Sequence, residues 1–136
     1  MNLFRVLIVD DEPLIRAGIR EGLAGMAQIE IVGESGTGAE AMSQLSSQSV
    51  DLVLLDVQMQ DCTGLDVVER IGPDRMPAVI FVTAYDEYAV KAFELNAVDY
   101  LLKPFDDIRL RRSVERASAH CSAPSIGPRR AIAGSA

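Results

Sequence analysis

Four short apolar runs in the chain are each followed by residues that are ionised or can donate a hydrogen bond. These residues are Asp10, Asp11 and Glu12 after FRVLIV, Asp56 after LVLL, Thr83 after AVIFV, and Lys103 after YLL. Continuous apolar runs are typical of parallel strands that are covered on both faces. In open α/β sheets, ligands bind outside the carboxyl ends of the strands. We therefore expect carboxylates, a hydroxyl and an ammonium to meet at one edge of a sheet.

Such a cluster has a limited chemistry. Two carboxylates about 4 Å apart repel by roughly 4 kcal/mol at an effective dielectric constant of 20, so the cluster must keep a proton or bind a cation. Mg²⁺ fits because it prefers oxygen ligands and is usually held by one or two carboxylates plus phosphate oxygens. With the cation bound, Asp56 can stay ionised and act as a nucleophile that forms an aspartyl phosphate. Lys103 and Thr83 would supply a positive charge and a hydrogen-bond donor for the phosphoryl oxygens.

Each residue also has an ordinary structural interpretation. Asp10 or Asp11 could cap the helix that follows. Asp56 could be a loop acid, Thr83 a turn hydroxyl and Lys103 a surface lysine. The functional interpretation depends on their convergence at four strand ends and not on any one of them.

The elements that must position these residues alternate along the chain. Strands are predicted at residues 4–9, 29–32, 52–55, 78–82 and 100–102. Helical spacing of apolar residues predicts helices that begin at Pro13 and that cover residues 37–48, 63–71, 85–95 and 106–120. Five β–α pairs predict an α/β fold with a doubly wound parallel sheet and right-handed crossovers. In the fourth helix, Phe93 is expected to be a core or packing residue.

Length and composition indicate one small acidic domain. The chain has 136 residues, of which 49% are hydrophobic and 24% are charged, which is enough for a single core. The net charge of −7 argues against nucleic acid as a partner of the whole surface. We find neither a membrane span nor a signal peptide in the sequence, and we expect a cytoplasmic protein. Cys62, Cys121 and His120 are too few for a zinc site.

Four segments together resemble the receiver domain of bacterial response regulators: VLIVDDEPLIR, DLVLLDVQM with Gly64 downstream, FVTA and AVDYLLKPF. The resemblance extends over about residues 3–118. It implies a flavodoxin-like, doubly wound sheet of five parallel strands in the order 2-1-3-4-5, flanked by five helices. We assign residues 1–120 to this domain. Residues 121–136, rich in Ser, Ala, Gly and Pro, are predicted to form a flexible tail or linker.

The resemblance implies that Asp56 is the phosphoacceptor and takes its phosphoryl group from a sensor histidine kinase. It also implies that Asp10 and Asp11 hold Mg²⁺, with Asp56 and the backbone carbonyl of Gln58 completing the protein ligands.

Further roles follow from the same resemblance. Thr83 and Lys103 would bind the phosphoryl oxygens. Tyr100 matches the switch aromatic of the family, which turns inward as Thr83 closes on the phosphate. Gln58 and Tyr85 match positions that tune hydrolysis of the phosphorylated state.

The resemblance also implies a readout surface. It consists of the fourth helix, the fifth strand and the fifth helix, roughly residues 86–116, and it would form a homodimer on phosphorylation. Acidic and basic groups could pair there across a two-fold axis: Asp86, Glu87, Glu94, Lys91, Arg111 and Arg112.

The stretch YDEYAVKAFELNAVDYLLKPF is closer still to receivers of the LytR/AlgR type, which usually precede a DNA-binding domain of largely β structure. No such domain lies in these 136 residues, so contact with DNA is expected only through an output domain attached at the tail. The chain departs from the family at Gln60, where Pro is common. The loop after Asp56 is therefore expected to be less rigid.

Three other functions are alternatives to that of a phosphorylated receiver. A phosphatase with an aspartate nucleophile would need an acid two residues after Asp56, where this chain has Gln58. Nucleotide binding through the segment GESGTG is disfavoured, because that segment lacks the lysine of a P-loop. A pseudo-receiver that acts as a non-phosphorylated interaction module would be expected to lack Asp56, Lys103 or an acidic-pair residue. None of these is missing, and the pseudo-receiver stays as the alternative.

Overall fold

All five apolar runs of the sequence form strands. The structure is a computed structural model, and it describes residues 3–122. Its strands are β1 (Phe4–Val9), β2 (Ile29–Ser35), β3 (Leu52–Asp56), β4 (Ala78–Thr83) and β5 (Asp99–Leu102). The α-helices within these residues are α1 (Pro13–Leu23), α2 (Gly38–Ser47), α3 (Gly64–Ile71), α4 (Ala89–Glu94) and α5 (Asp107–Ser122). Single 3₁₀ turns cover Pro73–Arg75 and Asp86–Tyr88.

The strands form one parallel sheet in the order β2-β1-β3-β4-β5, which confirms the predicted topology. The central strand β3 is buried along its whole length. This burial follows from helices that cover both faces of the sheet, and it explains why the strand sequences are almost wholly apolar.

The core has two layers because successive strand residues point to opposite faces. Val6 and Ile8 of β1 pack in the layer that contains α1 and α5. Leu7 and Val9 pack in the other layer, with residues of α2, α3 and α4. These four side chains are at most 1% exposed, and burial of each stabilises the fold by about 1.5–3 kcal/mol. A buried core on both faces of the sheet therefore supports the carboxyl end of β1.

Local capping fixes where two helices begin. The Thr37 hydroxyl accepts a hydrogen bond from the Glu40 backbone N–H and caps α2. Thr63 and Asp66 form a reciprocal capping box at the start of α3, with both bonds at 3.0 Å. The two helices thus begin within a few residues of the sheet edge that carries the polar side chains.

The segment predicted as the fourth helix differs from the expectation. It is a 3₁₀ turn, Asp86–Tyr88, followed by the six-residue α4. Ala92 is fully buried, but Phe93 is 52% exposed, so of the two roles expected for Phe93 the core role is excluded. Neighbouring residues of a helix point about 100° apart, and this short helix presents only one side to the sheet.

The fifth helix is slightly longer than predicted and ends at Ser122. Residues 121 and 122 are therefore helical, and the rest of the predicted tail lies outside the described residues. Within residues 3–122, no helix combines the length and apolar character needed to span a membrane.

Candidate functional site

The strand register brings the predicted residues to one edge of the sheet. Val9 of β1 lies beside Leu55 of β3, so Asp10 and Asp56, the next residues, end neighbouring strands. Asp56 in turn pairs with Val82 on β4. On the next strand pair, the Lys103 backbone N–H donates to the Thr83 carbonyl over 2.7 Å. Four adjacent strands therefore contribute a polar residue at this edge.

Three carboxylates meet there. Oxygen atoms of Asp10, Asp11 and Asp56 all lie within 4.8 Å of one another. Asp10 and Asp56 are only 1% and 3% exposed, whereas Asp11 is partly exposed. Oδ1 of Asp10 accepts a hydrogen bond from the Glu12 N–H, while its buried Oδ2 accepts none from the described residues. An acceptor oxygen without a hydrogen bond, beside two further carboxylates, fits a hard divalent cation such as Mg²⁺.

The ordinary role considered for Asp10 and Asp11 as helix caps does not apply. The N-cap of α1 is Glu12, and no side chain caps it. Instead, Arg16 on α1 donates to the backbone carbonyl of Asp10 over 2.6 Å and pairs with Glu34 at 3.1 Å. Arg16 thus holds the Asp10 backbone in place, a contact that the sequence analysis missed.

Lys103 is the cation of the site. Its Nζ lies 3.0 Å from Asp10 Oδ2 as an ion pair outside hydrogen-bond geometry, 3.5 Å from Glu12 and 3.9 Å from Asp56 Oδ1. Burial acts to lower the pKa of Lys103, but attraction to Asp10, Asp56 and Glu12 outweighs it and raises that pKa. Lys103 therefore stays charged and partly offsets the three acids.

The balance of charge is visible in Asp56. The pKa of its carboxyl is raised to about 7, first by burial and then by the negative charge of Asp10. Lys103 and the Gln58 N–H, which donates to Asp56 Oδ1 over 3.2 Å, act in the opposite direction. One ammonium does not compensate for the crowded carboxylates, which is the electrostatic reason for a further cation at this edge.

Asp61 anchors the loop after Asp56 to the start of α2. The Asp61 carboxylate accepts hydrogen bonds from the N–H groups of Gly38 and Ala39, at 2.9 and 3.0 Å, at the start of α2. These bonds hold the pKa of Asp61 below its ordinary value. Gly64 closes the loop: an added Cβ would lie 2.4 Å from the carbonyl oxygen of Asp56, so only glycine fits.

Thr83 and Tyr100 lie on neighbouring strands at the same edge. Thr83 is 1% exposed, and its hydroxyl accepts a hydrogen bond from the Tyr85 N–H over 3.2 Å. The Tyr100 hydroxyl donates to the carbonyl oxygen of Tyr85. Tyr85 thus contacts both residues through its backbone, while its side chain is 46% exposed.

Two features of the edge were not predicted. The side-chain amide of Gln58 donates to the hydroxyl of Tyr88 over 2.9 Å. The ring of Tyr88 is nearly perpendicular to that of Tyr85, with centroids 6.4 Å apart. Because 30 residues separate Gln58 from Tyr88, no local sequence signal could have paired them.

A buried acid next to Tyr100 was also missed. Asp99 is 6% exposed and accepts hydrogen bonds from Arg109, Ser113 and Arg116 of α5 at 2.7–3.2 Å, and from the Tyr100 N–H at 2.8 Å. Burial acts to raise the pKa of Asp99, but these bonds outweigh it and hold that pKa below its ordinary value. Asp99 therefore fastens α5 to β5.

Comparison with known proteins identifies the family and the fold of this chain. Residues 6–115 match the response regulator receiver domain family. The chain belongs to this family. It is 46% identical over 114 residues to the transcriptional regulatory protein BtsR of Salmonella typhi, which covers 84% of this chain and 48% of that protein. The chain thus spans about half the length of the curated relatives it matches.

Solved receiver domains superpose closely on this one. The response regulatory domain of mrkE from Klebsiella pneumoniae is 31% identical, with a TM-score of 0.78 over 86% of this chain and 97% of that one. The receiver domain of AraT from Geobacillus stearothermophilus is 35% identical, with a TM-score of 0.77 over 87% and 95%. The expected receiver fold is confirmed by these matches.

Proposed function

We propose that this receiver domain accepts a phosphoryl group on Asp56 from a phosphohistidine of a sensor histidine kinase. A carboxylate oxygen of Asp56 forms a bond to phosphorus as the phosphorus–nitrogen bond breaks, and the electron pair returns to the imidazole, which takes up a proton. The observation that supports this function best is the cluster of three carboxylates within 4.8 Å, with Lys103 Nζ 3.9 Å from Asp56.

The donor set suits Mg²⁺, and we propose that Asp10, Asp11, Asp56 and the backbone carbonyl of Gln58 hold it. When bound, the ion would neutralise charge on the carboxylates and on the phosphoryl oxygens. The crowding of the three carboxylates supports this assignment, because the Lys103 ammonium, 3.0 Å from the buried Oδ2 of Asp10, compensates only part of their negative charge.

Lys103 and Thr83 are proposed to bind the phosphoryl oxygens. In the present state Lys103 is closer to Asp10 than to Asp56, so the arriving phosphoryl group would draw its ammonium towards Asp56. The Thr83 hydroxyl accepts a hydrogen bond from Tyr85, and its own proton is left to donate to a phosphoryl oxygen.

The switch is proposed to run through Thr83 and Tyr100. The Tyr85 N–H ties the Thr83 hydroxyl to the segment that follows β4, so a contact of this hydroxyl with the phosphoryl group would act on that segment. That segment carries the Tyr85 carbonyl to which Tyr100 is bound. A phosphoryl group that contacts one conformation better shifts the population towards it by that difference in free energy.

The output is proposed to be control of transcription through a DNA-binding domain outside this chain, as in receivers of the LytR/AlgR type, in the cytoplasm. The relative BtsR is named a transcriptional regulatory protein, and this chain corresponds to about half of its length. Contact with DNA would come only from that other domain.

The readout surface, residues 86–116, is proposed to form a homodimer after phosphorylation. It exposes Val90 and Phe93 on α4 and Leu102 on β5. Two of its predicted charges are already engaged within the chain: Lys91 pairs with Glu69 at 3.2 Å, and Arg111 donates to backbone carbonyls at the end of α1. We propose that these exposed apolar side chains contribute to the dimer contact together with the other charges of the surface.

The phosphoacceptor proposal is tested by incubation with Mg²⁺ and acetyl phosphate, followed by intact-mass spectrometry. We expect one added phosphate in the wild type, and none in Asp56→Asn or after chelation of Mg²⁺. If the mass stays unchanged in all samples, the pseudo-receiver alternative is favoured.

A further inference from the structure

A hydrogen bond connects the loop after the phosphoacceptor with the turn before α4. Gln58 Nε2 donates to the Tyr88 hydroxyl over 2.9 Å. The backbone N–H of Gln58 donates to Asp56 Oδ1 over 3.2 Å, so the Gln58 backbone lies beside the carboxylate proposed as the phosphoacceptor. The Gln58 side chain thus starts next to the phosphoacceptor carboxylate and ends at Tyr88.

Tyr88 is the more buried member of this pair. Its ring is partly buried against the core layer formed with α2, α3 and α4, and it packs edge-on against Tyr85. Gln58 is exposed, and its amide has no other hydrogen-bond partner among residues 3–122. The Tyr88 hydroxyl therefore determines where the Gln58 amide lies.

The hydrogen bond to Tyr88 limits what the Gln58 amide can do at the phosphorylation site. A glutamine amide next to a phosphoryl group can orient the water that attacks phosphorus. An amide that is hydrogen-bonded to a tyrosine hydroxyl is not free to orient that water. We infer that Tyr88 is a positioning residue, which holds Gln58 away from the attacking water and so lengthens the lifetime of the phosphorylated state. This inference rests on the proposed function.

The step that Tyr88 would slow is hydrolysis of the aspartyl phosphate. The oxygen of water bonds to phosphorus, and the bond from phosphorus to the Asp56 oxygen breaks with its electron pair left on the carboxylate. The products are the Asp56 carboxylate and inorganic phosphate, and the proton from water passes to the released phosphate or to solvent.

The test is the decay of the phosphorylated protein after the donor has been removed. Wild type, Tyr88→Phe, Gln58→Ala and the double variant are phosphorylated with acetyl phosphate and Mg²⁺, desalted rapidly and followed by intact mass. Tyr88→Phe keeps the ring and loses only the hydroxyl, and it should hydrolyse about two- to tenfold faster, the range of one hydrogen bond. Gln58→Ala should decay no faster than the wild type, and Tyr88→Phe should have no effect in that background.

Gln60→Ala is the matched control, because it removes an amide from the same loop that makes no hydrogen bond among the described residues. It should decay like the wild type. The inference is overturned if Tyr88→Phe decays at the wild-type rate or slower, or if it is accelerated equally with Ala at position 58. It is also overturned if Gln58→Ala itself decays faster, which would mean that the pair merely blocks access of water. Wild type that takes up no phosphate would instead refute the proposed function, and the inference with it.

Discussion

Lys103 Nζ lies 3.0 Å from Oδ2 of Asp10, a carboxylate that is 1% exposed. This ion pair offsets part of the charge of the acidic cluster in the unphosphorylated state. Lys103→Met keeps most of the volume of the side chain but leaves the acids without their ammonium. We expect the free energy of unfolding to fall by about 2 kcal/mol in the absence of Mg²⁺ and to recover in part when Mg²⁺ is added.

Urea denaturation with and without Mg²⁺ measures this effect. Lys91→Met is the control, since its pair with Glu69 is half-exposed and such surface pairs contribute at most about 1 kcal/mol. Equal losses of stability in the two variants would mean that Lys103 does not compensate a buried charge.

Asp61 should control the loop that follows the phosphoacceptor. Asp61→Asn removes one of the two acceptor oxygens that bind α2 and also removes a negative charge from the helix N-terminus. We expect a lower melting temperature, because the contact between the loop and α2 is weakened. We also expect weaker Mg²⁺ binding, because the Gln58 carbonyl, which we propose as a Mg²⁺ ligand, lies on the same loop. Thermal unfolding and Mg²⁺ titration check this, with the exposed Asp74→Asn as control. Identical behaviour of the two variants would show that Asp61 does not position the loop.

Asp99 should make stability depend on pH. Since the pKa of Asp99 is lower in the folded protein than its ordinary value of 3.8, its contribution is complete above that value and is lost as the pH falls through the folded-state pKa. Asp99→Asn should be less stable than the wild type by about 1–3 kcal/mol at pH 7.

Urea denaturation at pH 7, 5, 4 and 3 tests this prediction. The difference between the wild type and Asp99→Asn should be constant down to about pH 5 and shrink below pH 4. A difference that is the same at pH 3 as at pH 7 would contradict an ionised Asp99 as the group that fastens α5 to β5.

Phe93 should matter for dimerisation and not for folding, because it is 52% exposed. With the phosphate mimic BeF₃⁻ and Mg²⁺, we expect the wild type to dimerise and Phe93→Asp to raise the dimer Kd at least about tenfold. Sedimentation velocity measures this, and Leu14→Asp, which changes an exposed leucine on α1, is the control. Wild type that stays monomeric throughout, or a Phe93→Asp variant that dimerises as well as the wild type, would exclude this surface.

Much of this structure could be predicted from the sequence, for a physical reason. Apolar runs such as FRVLIV and LVLL must be buried on both faces, and parallel strands place their carboxyl ends at one edge. The meeting of Asp10 with Asp56 and Lys103 follows from these two facts. The strand ends were harder to predict, because Asp56 and Thr83 are polar residues that complete strands.

Contacts between distant segments could not be predicted in this way. Asp61 binds the start of α2 more than 20 residues away, and Gln58 donates to Tyr88, 30 residues further along the chain. Asp99 was missed because an acid beside an apolar run looks like a loop residue until α5 is packed against it. The apolar residue type of Phe93 could not decide between a core and a packing role, because the orientation of a one-sided helix decides its exposure.

The central claim of the proposed function is that Asp56 carries the phosphoryl group. Chemical trapping tests this directly: the protein is incubated with acetyl phosphate and Mg²⁺, reduced with borohydride, which converts an aspartyl phosphate to homoserine, and digested for peptide mass spectrometry. We expect homoserine at position 56 alone, only with the phosphodonor, and none after Mg²⁺ has been chelated. Homoserine at another carboxylate, or unmodified Asp56 in a sample that has gained phosphate, would contradict this claim.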